Sequence, residues 1–159
     1  MQTPKIEQVS KKVLVGHSVE MSLQENKTFE LFSGFMPKRK QIVNAISEDI
    51  YEVMLYNNTH FKAFSPKNTF TKWATLEVSN TDKIPNHINT LVIDEGLYAV
   101  FLYKGLPKDF GRLMRYILSE WLPQSNYQLD HRPHFNVLGE AYKRNHPDSE
   151  EKVYIPIKI

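Results

Sequence analysis

The chain has 159 residues, 41% hydrophobic and 24% charged, and its 20 basic and 18 acidic side chains leave a net charge of +2. Such a length and balance describe one compact domain, or two small halves sharing a core, and argue against disorder. A charge this small and scattered leaves no footprint for nucleic acid. The lack of cysteine removes disulfides, thiolate-ligated zinc and thiol catalysis.

Met1-Gln2-Thr3-Pro4-Lys5 lacks the apolar run of a signal peptide. No stretch approaches the roughly 18 apolar residues that a bilayer span needs. The expectation is a soluble, cytoplasmic protein with no membrane partner, in which the sequons at Asn26 and Asn57 carry no meaning.

Along the chain, Val13, Val15, Val19, Met21 and Leu23 fall on odd positions, the alternation of a strand with one buried face. Gly16 within it marks a bulge or bend. Phe29, Phe32, Phe35 and Met36 carry a helical pattern with Thr28 as its N-cap. Pro37 interrupts it, predicting a kink or restart before Ile42, Val43 and Ile46, and Lys38-Arg39-Lys40 reads as the solvated end of a helix. Tyr51 to Tyr56 forms a short strand stopped by Asn57-Asn58. Phe70 to Ser79 forms another, with Ala74, Leu76 and Val78 on one face and Trp73, Thr75 and Glu77 on the other.

The polar stretch around Pro85 reads as a joint, after which the order repeats. Leu91 to Lys104 predicts a hairpin turning at Asp94-Glu95-Gly96. Pro107 and Asp109 open a helix whose Phe110, Leu113, Met114, Ile117 and Trp121 form an amphipathic stripe ended by Pro123. Strands follow around Phe135 to Leu138 and Val153 to Ile157, with Glu150 and Glu151 solvated just before the last. The fold class is α+β. Two βαββ units (about residues 5–80 and 88–159) form antiparallel sheets around a pseudo-two-fold axis, leaving a ligand groove between the halves.

Little else in the chain points to chemistry. His131 and His134 have Pro133 between them and no third ligand in reach, so no metal is expected. Gly16-His17-Ser18 is half a nucleophile elbow at best, and six glycines form no phosphate-binding pattern, so no cofactor is expected. Neither helix belongs to a helix-turn-helix pair, which argues against direct DNA binding. Aromatic side chains reach 12%, enough for core packing and for a pocket besides.

Gly96-Leu97-Tyr98-Ala99-Val100-Phe101, Glu120-Trp121-Leu122-Pro123, Arg132-Pro133-His134-Phe135-Asn136-Val137 and the closing Val153-Tyr154-Ile155-Pro156-Ile157 together resemble the GyrI-like family. That family includes the effector-binding domains of AraC- and MerR-type transcription regulators. Phe35-Met36-Pro37-Lys38-Arg39 and Trp73-Ala74-Thr75-Leu76-Glu77 extend the resemblance over nearly the whole chain. It implies a single bacterial domain of about residues 1–159 with an aromatic pocket around an acidic residue, suited to apolar or amphipathic, often cationic, molecules. Candidate ligand-binding residues are Phe35, Trp73, Glu77, Phe101, Tyr103, Trp121, Asn136 and Tyr154.

One departure stands out. Asn136 occupies a position where the family usually has Glu, and Glu77, on the face of Trp73, is a candidate to replace the charge. Three functions follow from the resemblance. The first is an effector-binding domain that senses or sequesters a small molecule. The second is a hydrolase of small electrophiles, with Glu77 as base and Tyr103 as hydrogen-bond donor. The third is a protein-binding inhibitor like the family's inhibitor of DNA gyrase. Binding ranks first, since no catalytic constellation stands by itself.

Overall fold

The computed structural model describes residues 2–159. Its strands are β1 (Lys5–Val9), β2 (Lys12–Met21), β3 (Ile50–Leu55), β4 (Phe70–Glu77), β5 (Asn89–Ile93), β6 (Gly96–Lys104), β7 (Gln128–Leu129), β8 (His134–Leu138) and β9 (Glu150–Lys158). Helix α1 (Thr28–Phe35) lies between β2 and β3, and α2 (Phe110–Tyr116) with the short α3 (Leu122–Gln124) between β6 and β7. All strand pairings are antiparallel. The sheet order is β1-β6-β9-β8-β3-β4-β2-β5, with β7 added beside β9. The fold is therefore α+β with a mostly antiparallel sheet. The first half of the chain gives the order β3-β4-β2 and the second β8-β9-β6, and they meet where β3 pairs with β8.

That order forces the sheet to curl. β1 and β2 lie six places apart, roughly 29 Å across a flat sheet. Only Ser10 and Lys11 join them, a link spanning at most about 11 Å. β5 and β6 are also six places apart and are joined by Asp94 and Glu95 alone. The ends of the sheet must approach each other, giving it an inner and an outer face.

Period-two alternation sorts the side chains between these faces. On the inner face Val53, Phe135, Tyr98, Leu14 and Ile93 are fully buried and pack together with Tyr51 and Val100. Outside, α1 seals Val15, Ile50, Ala74 and Leu76 beneath Leu31 and Phe35. The second helical segment covers Phe101, Val153, Ile155 and Ile157 through Ile117, with Leu113, Met114 and Trp121 around it. Three apolar layers result, and the strands between the two helices carry polar groups on their outer face.

Several local expectations change. The predicted Leu91–Lys104 hairpin does not form, because β5 pairs with β2 and not with β6. Gly16 makes no bulge: the β2–β4 register runs unbroken through Gly16 and Thr75. A Cβ there would collide with the Ala74 carbonyl, so close approach of the strands explains the glycine. Thr28 does not cap α1: Lys27 holds the N-cap position without a side-chain bond, and Asn26 accepts the Thr28 N–H at 2.9 Å in the turn before it. After α1 the chain tightens into a 3₁₀ turn, Met36–Gln41, and then extends at Ile42 instead of restarting a helix. Val43 and Ile46 are exposed.

Pro123 lies inside the last turn rather than ending the helix before it. Lacking an N–H, it cannot continue the regular ladder, and the preceding Ile117–Trp121 turn widens to a π-helix. β1 was not foreseen. β9 begins earlier than expected, at Glu150, so Glu151 belongs to the sheet and is only partly exposed.

Candidate functional site

Polar side chains gather on the outer face where β3 meets β8. In Ile50-Tyr51-Glu52-Val53-Met54, alternation turns Glu52 outward between two buried apolar residues. Its cross-strand neighbours are Ala74 on β4 and Asn136 on β8, and Lys72 sits two pairs further along on the same face, opposite Met54. Lys72 Nζ lies 3.6 Å from Glu52 Oε2, with each side chain 14% exposed, and donates to the Thr28 hydroxyl at 3.0 Å. Asn136 Nδ2 donates to Glu52 Oε1 at 3.2 Å. Asn136 is 3% exposed, and its Oδ1 has no hydrogen-bond partner within the protein.

Glu151 on β9 completes the group. Burial, aided by the nearby Glu52 charge, pushes its carboxyl up to about 8, against the opposing pull of Lys72. Burial and the Glu52 charge also raise the Tyr56 and Tyr142 hydroxyls, which stay protonated. The result is an acceptor-rich site with one resident cation and two neutral hydroxyls close by.

Trp73, Glu77 and Tyr154 lie on the inner face. Trp73, Val53, Phe135 and Tyr154 form one row across β4, β3, β8 and β9, and the Phe135 and Tyr154 rings stack 4.4 Å apart. Trp73 Nε1 is buried without a partner. Glu77 accepts from Tyr51 at 3.3 Å and sits 3.5 Å from Lys12 Nζ, so its charge is already met. Tyr51, Tyr154, Lys12, Glu7 and Val9 line a cavity of about 230 Å³ there. A second cavity, of about 490 Å³, lies beside α1 among His17, Glu30, Lys38 and His87.

The remaining candidates pack beneath the helices. Phe35, the last residue of α1, is fully buried against the sheet. Phe101 meets Trp121 edge-on at 5.3 Å, and Tyr103 packs in the same cluster while its hydroxyl donates to the Leu106 carbonyl. The structure thus separates Glu77 and Tyr103 onto opposite faces, and Asn136 likewise from Trp73 and Glu77. His134 is buried against Tyr56 and Phe61, and burial pushes its imidazole down to about 3. Among the described residues no three His, Asp or Glu side chains are grouped to hold a metal.

Arg132 ties the sheet together. It bonds Asp130 at 2.7 Å and the Leu97 and Ile157 carbonyls, and lies over the Tyr98 ring. Sequence reasoning overlooked Glu52, Lys72 and Tyr142 and took Glu151 for a solvated residue. The available signal was a charge on the buried-face alternation of an apolar strand, at Glu52 in β3 and Lys72 in β4.

The site is a polar strip on the outer face of an antiparallel sheet, between the segments that the helices cover. The chain belongs to the GyrI-like small molecule binding domain family, which residues 2–158 match. No curated protein matches it significantly. Among solved structures it resembles SAV2435 bound to tetraphenylphosphonium, at 12% identity and TM-score 0.70 over 99% of this chain and 94% of that one. The EcmrR C-terminal domain gives 12% identity and TM-score 0.70 over 97% and 96%. A hydrolase encoded by lin2189 from Listeria innocua gives 9% and 0.65 over 98% and 92%. At these identities the likeness concerns the fold. Among the described residues no helix is long and apolar enough to cross a membrane.

Proposed function

We propose that this domain binds a small amphipathic cation between its halves, on the outer face against Glu52, Asn136 and Glu151, as an effector-binding domain serving transcription regulation or sequestration. The observation that carries the reading is the pair of partly buried carboxylates, Glu52 and Glu151, with Lys72 as their nearby cation. A ligand cation satisfies the charge that burial otherwise suppresses on Glu151. Met54, opposite Lys72 in the β3–β4 register, belongs to a buried apolar cluster with Met21 and Phe70. The Asn136 departure from the family pattern is thereby met by carboxylates on neighbouring strands.

The regulatory part of the reading draws on EcmrR. The EcmrR chain in an EcmrR–DNA complex resembles this chain at 15% identity and TM-score 0.68, and this chain covers 56% of it. A DNA-reading segment would then come from elsewhere.

The inner cavity supports a second location, in which Trp73, Glu77 and Tyr154 hold the ligand. Thermal-shift and calorimetric titration with amphipathic cations and neutral aromatics test both locations. Glu151→Gln weakens binding at the outer site and leaves it unchanged at the inner one; Trp73→Ala and Glu77→Gln do the reverse. Silence across both compound classes refutes small-molecule binding and turns attention to a protein partner.

A further inference from the structure

Glu52 is already engaged on both of its oxygens. Its Oε1 accepts from Asn136, and its Oε2 faces Lys72. The unspent capacity of the outer site lies on Asn136 and Glu151. A carboxylate only accepts, so the Asn136 amide must turn its nitrogen toward Glu52, which fixes the orientation of the group. On β9 the register partner of Asn136 is Val153, two residues from Glu151, so Asn136 and Glu151 share the outer face on adjacent strands.

An amide oxygen buried to 3% exposure with no partner in the protein lacks the bond that such groups nearly always make. Once a bound cation has ionised Glu151, the Asn136 oxygen calls for a donor of its own. Lys72 already shows what the neighbourhood accommodates: a primary ammonium that pairs with Glu52 and donates to Thr28.

We infer that this site selects cations carrying N–H donors, such as ammonium, amidinium or guanidinium groups, over aprotic onium ions of the same shape. The inference rests on the outer-face binding proposed above. An aprotic cation offers charge to Glu151 but leaves Asn136 Oδ1 buried and unpaired, whereas an N–H group satisfies both. Either cation favours ionisation of the Glu151 carboxyl, which burial beside Glu52 otherwise keeps protonated, so charge alone does not discriminate. The amide oxygen does.

The test is calorimetric titration at neutral pH with naphthylmethylammonium and its N,N,N-trimethyl counterpart, equal in charge, with the N,N-dimethyl compound, which keeps one N–H at nearly the trimethyl bulk, as the control for size. The ammonium is expected to bind at least 10-fold more tightly, or about 1.4 kcal/mol. Asn136→Leu is expected to bring that ratio to near one, by weakening the ammonium alone. Glu151→Gln, which keeps the amide oxygen, is expected to weaken both ligands while preserving the ratio, and covers the case in which the Asn136 variant does not fold. Equal binding of the two compounds, or tighter binding of the trimethyl compound, overturns the inference and leaves cation binding intact. Silence from both, with no thermal shift from any amphipathic cation, overturns the proposed function as well.

Discussion

Replacing Glu151 by Gln should make the protein more stable in mild alkali, and by an amount that varies with pH. Burial beside Glu52 lifts the folded-state pKa of Glu151 from 4.5 to about 8. The folded state therefore holds this proton more firmly than the unfolded chain does. The associated stability is complete below pH 4.5 and is lost as pH rises toward 8. Between pH 7 and 8 the wild type should lose roughly 1 kcal/mol from this group, since each unit of pH across a fully linked window is worth about 1.4 kcal/mol.

Burial lowers the pKa values of His17, His60 and His134, and what they contribute in this interval is common to wild type and variant. They act on the acid side, where stability falls as pH drops below the unfolded histidine value. Urea unfolding of wild type and Glu151→Gln at pH 7.0, 7.5 and 8.0 gives the comparison, provided that m is unchanged. The stability difference should widen toward pH 8. Parallel wild-type and variant curves would refute the claim that Glu151 is held protonated by its surroundings.

Three further outcomes are expected. Phe135→Ala removes a fully buried ring stacked on Tyr154 and should cost about 3–5 kcal/mol in equilibrium unfolding. Gly16→Ala drives a methyl into the Ala74 carbonyl; separation of β2 from β4 should appear as a lower Tm and faster amide exchange across that pair. Lys72→Met strips Glu52 of its cation and should cost about 1–3 kcal/mol, while amphipathic cations should regain that loss and bind more tightly in calorimetry.

The alternation in β4 was legible because Ala74, Leu76 and Val78 contrast with Trp73, Thr75 and Glu77, and the structure puts the two sets on opposite faces. The stripe from Phe110 to Trp121 was legible for the same reason at helical spacing. Strand partners were not. Asp94-Glu95-Gly96 looks like a hairpin turn locally, yet the curl of the sheet carries β5 off to β2, and no local signal encodes that. β1 escaped notice because its five residues hold only two apolar side chains, Ile6 and Val9.

The candidate site was read only in part, because periodicity assigns a face but not which strands will be neighbours. Asn136 stood out by its departure from the family pattern. Glu52 and Glu151 are far apart in sequence, and only the pairing of β3 with β8 and of β8 with β9 brings them near it. Glu77 and Tyr103 were linked by chemistry alone, and the faces of the sheet separate them.

β1 leads into the first half but completes the edge of the second, while β5 leads into the second and completes the edge of the first. Each half is thus fastened by a strand that its own chain segment does not retain. A cut near Pro85 would produce two fragments with each other's borders missing, each leaving an open edge for which the other is the natural cover. Such fragments should be poorly folded alone and should reassemble when mixed. In the intact chain the halves should melt together, so a ligand gripping both would be felt from one border of the sheet to the other.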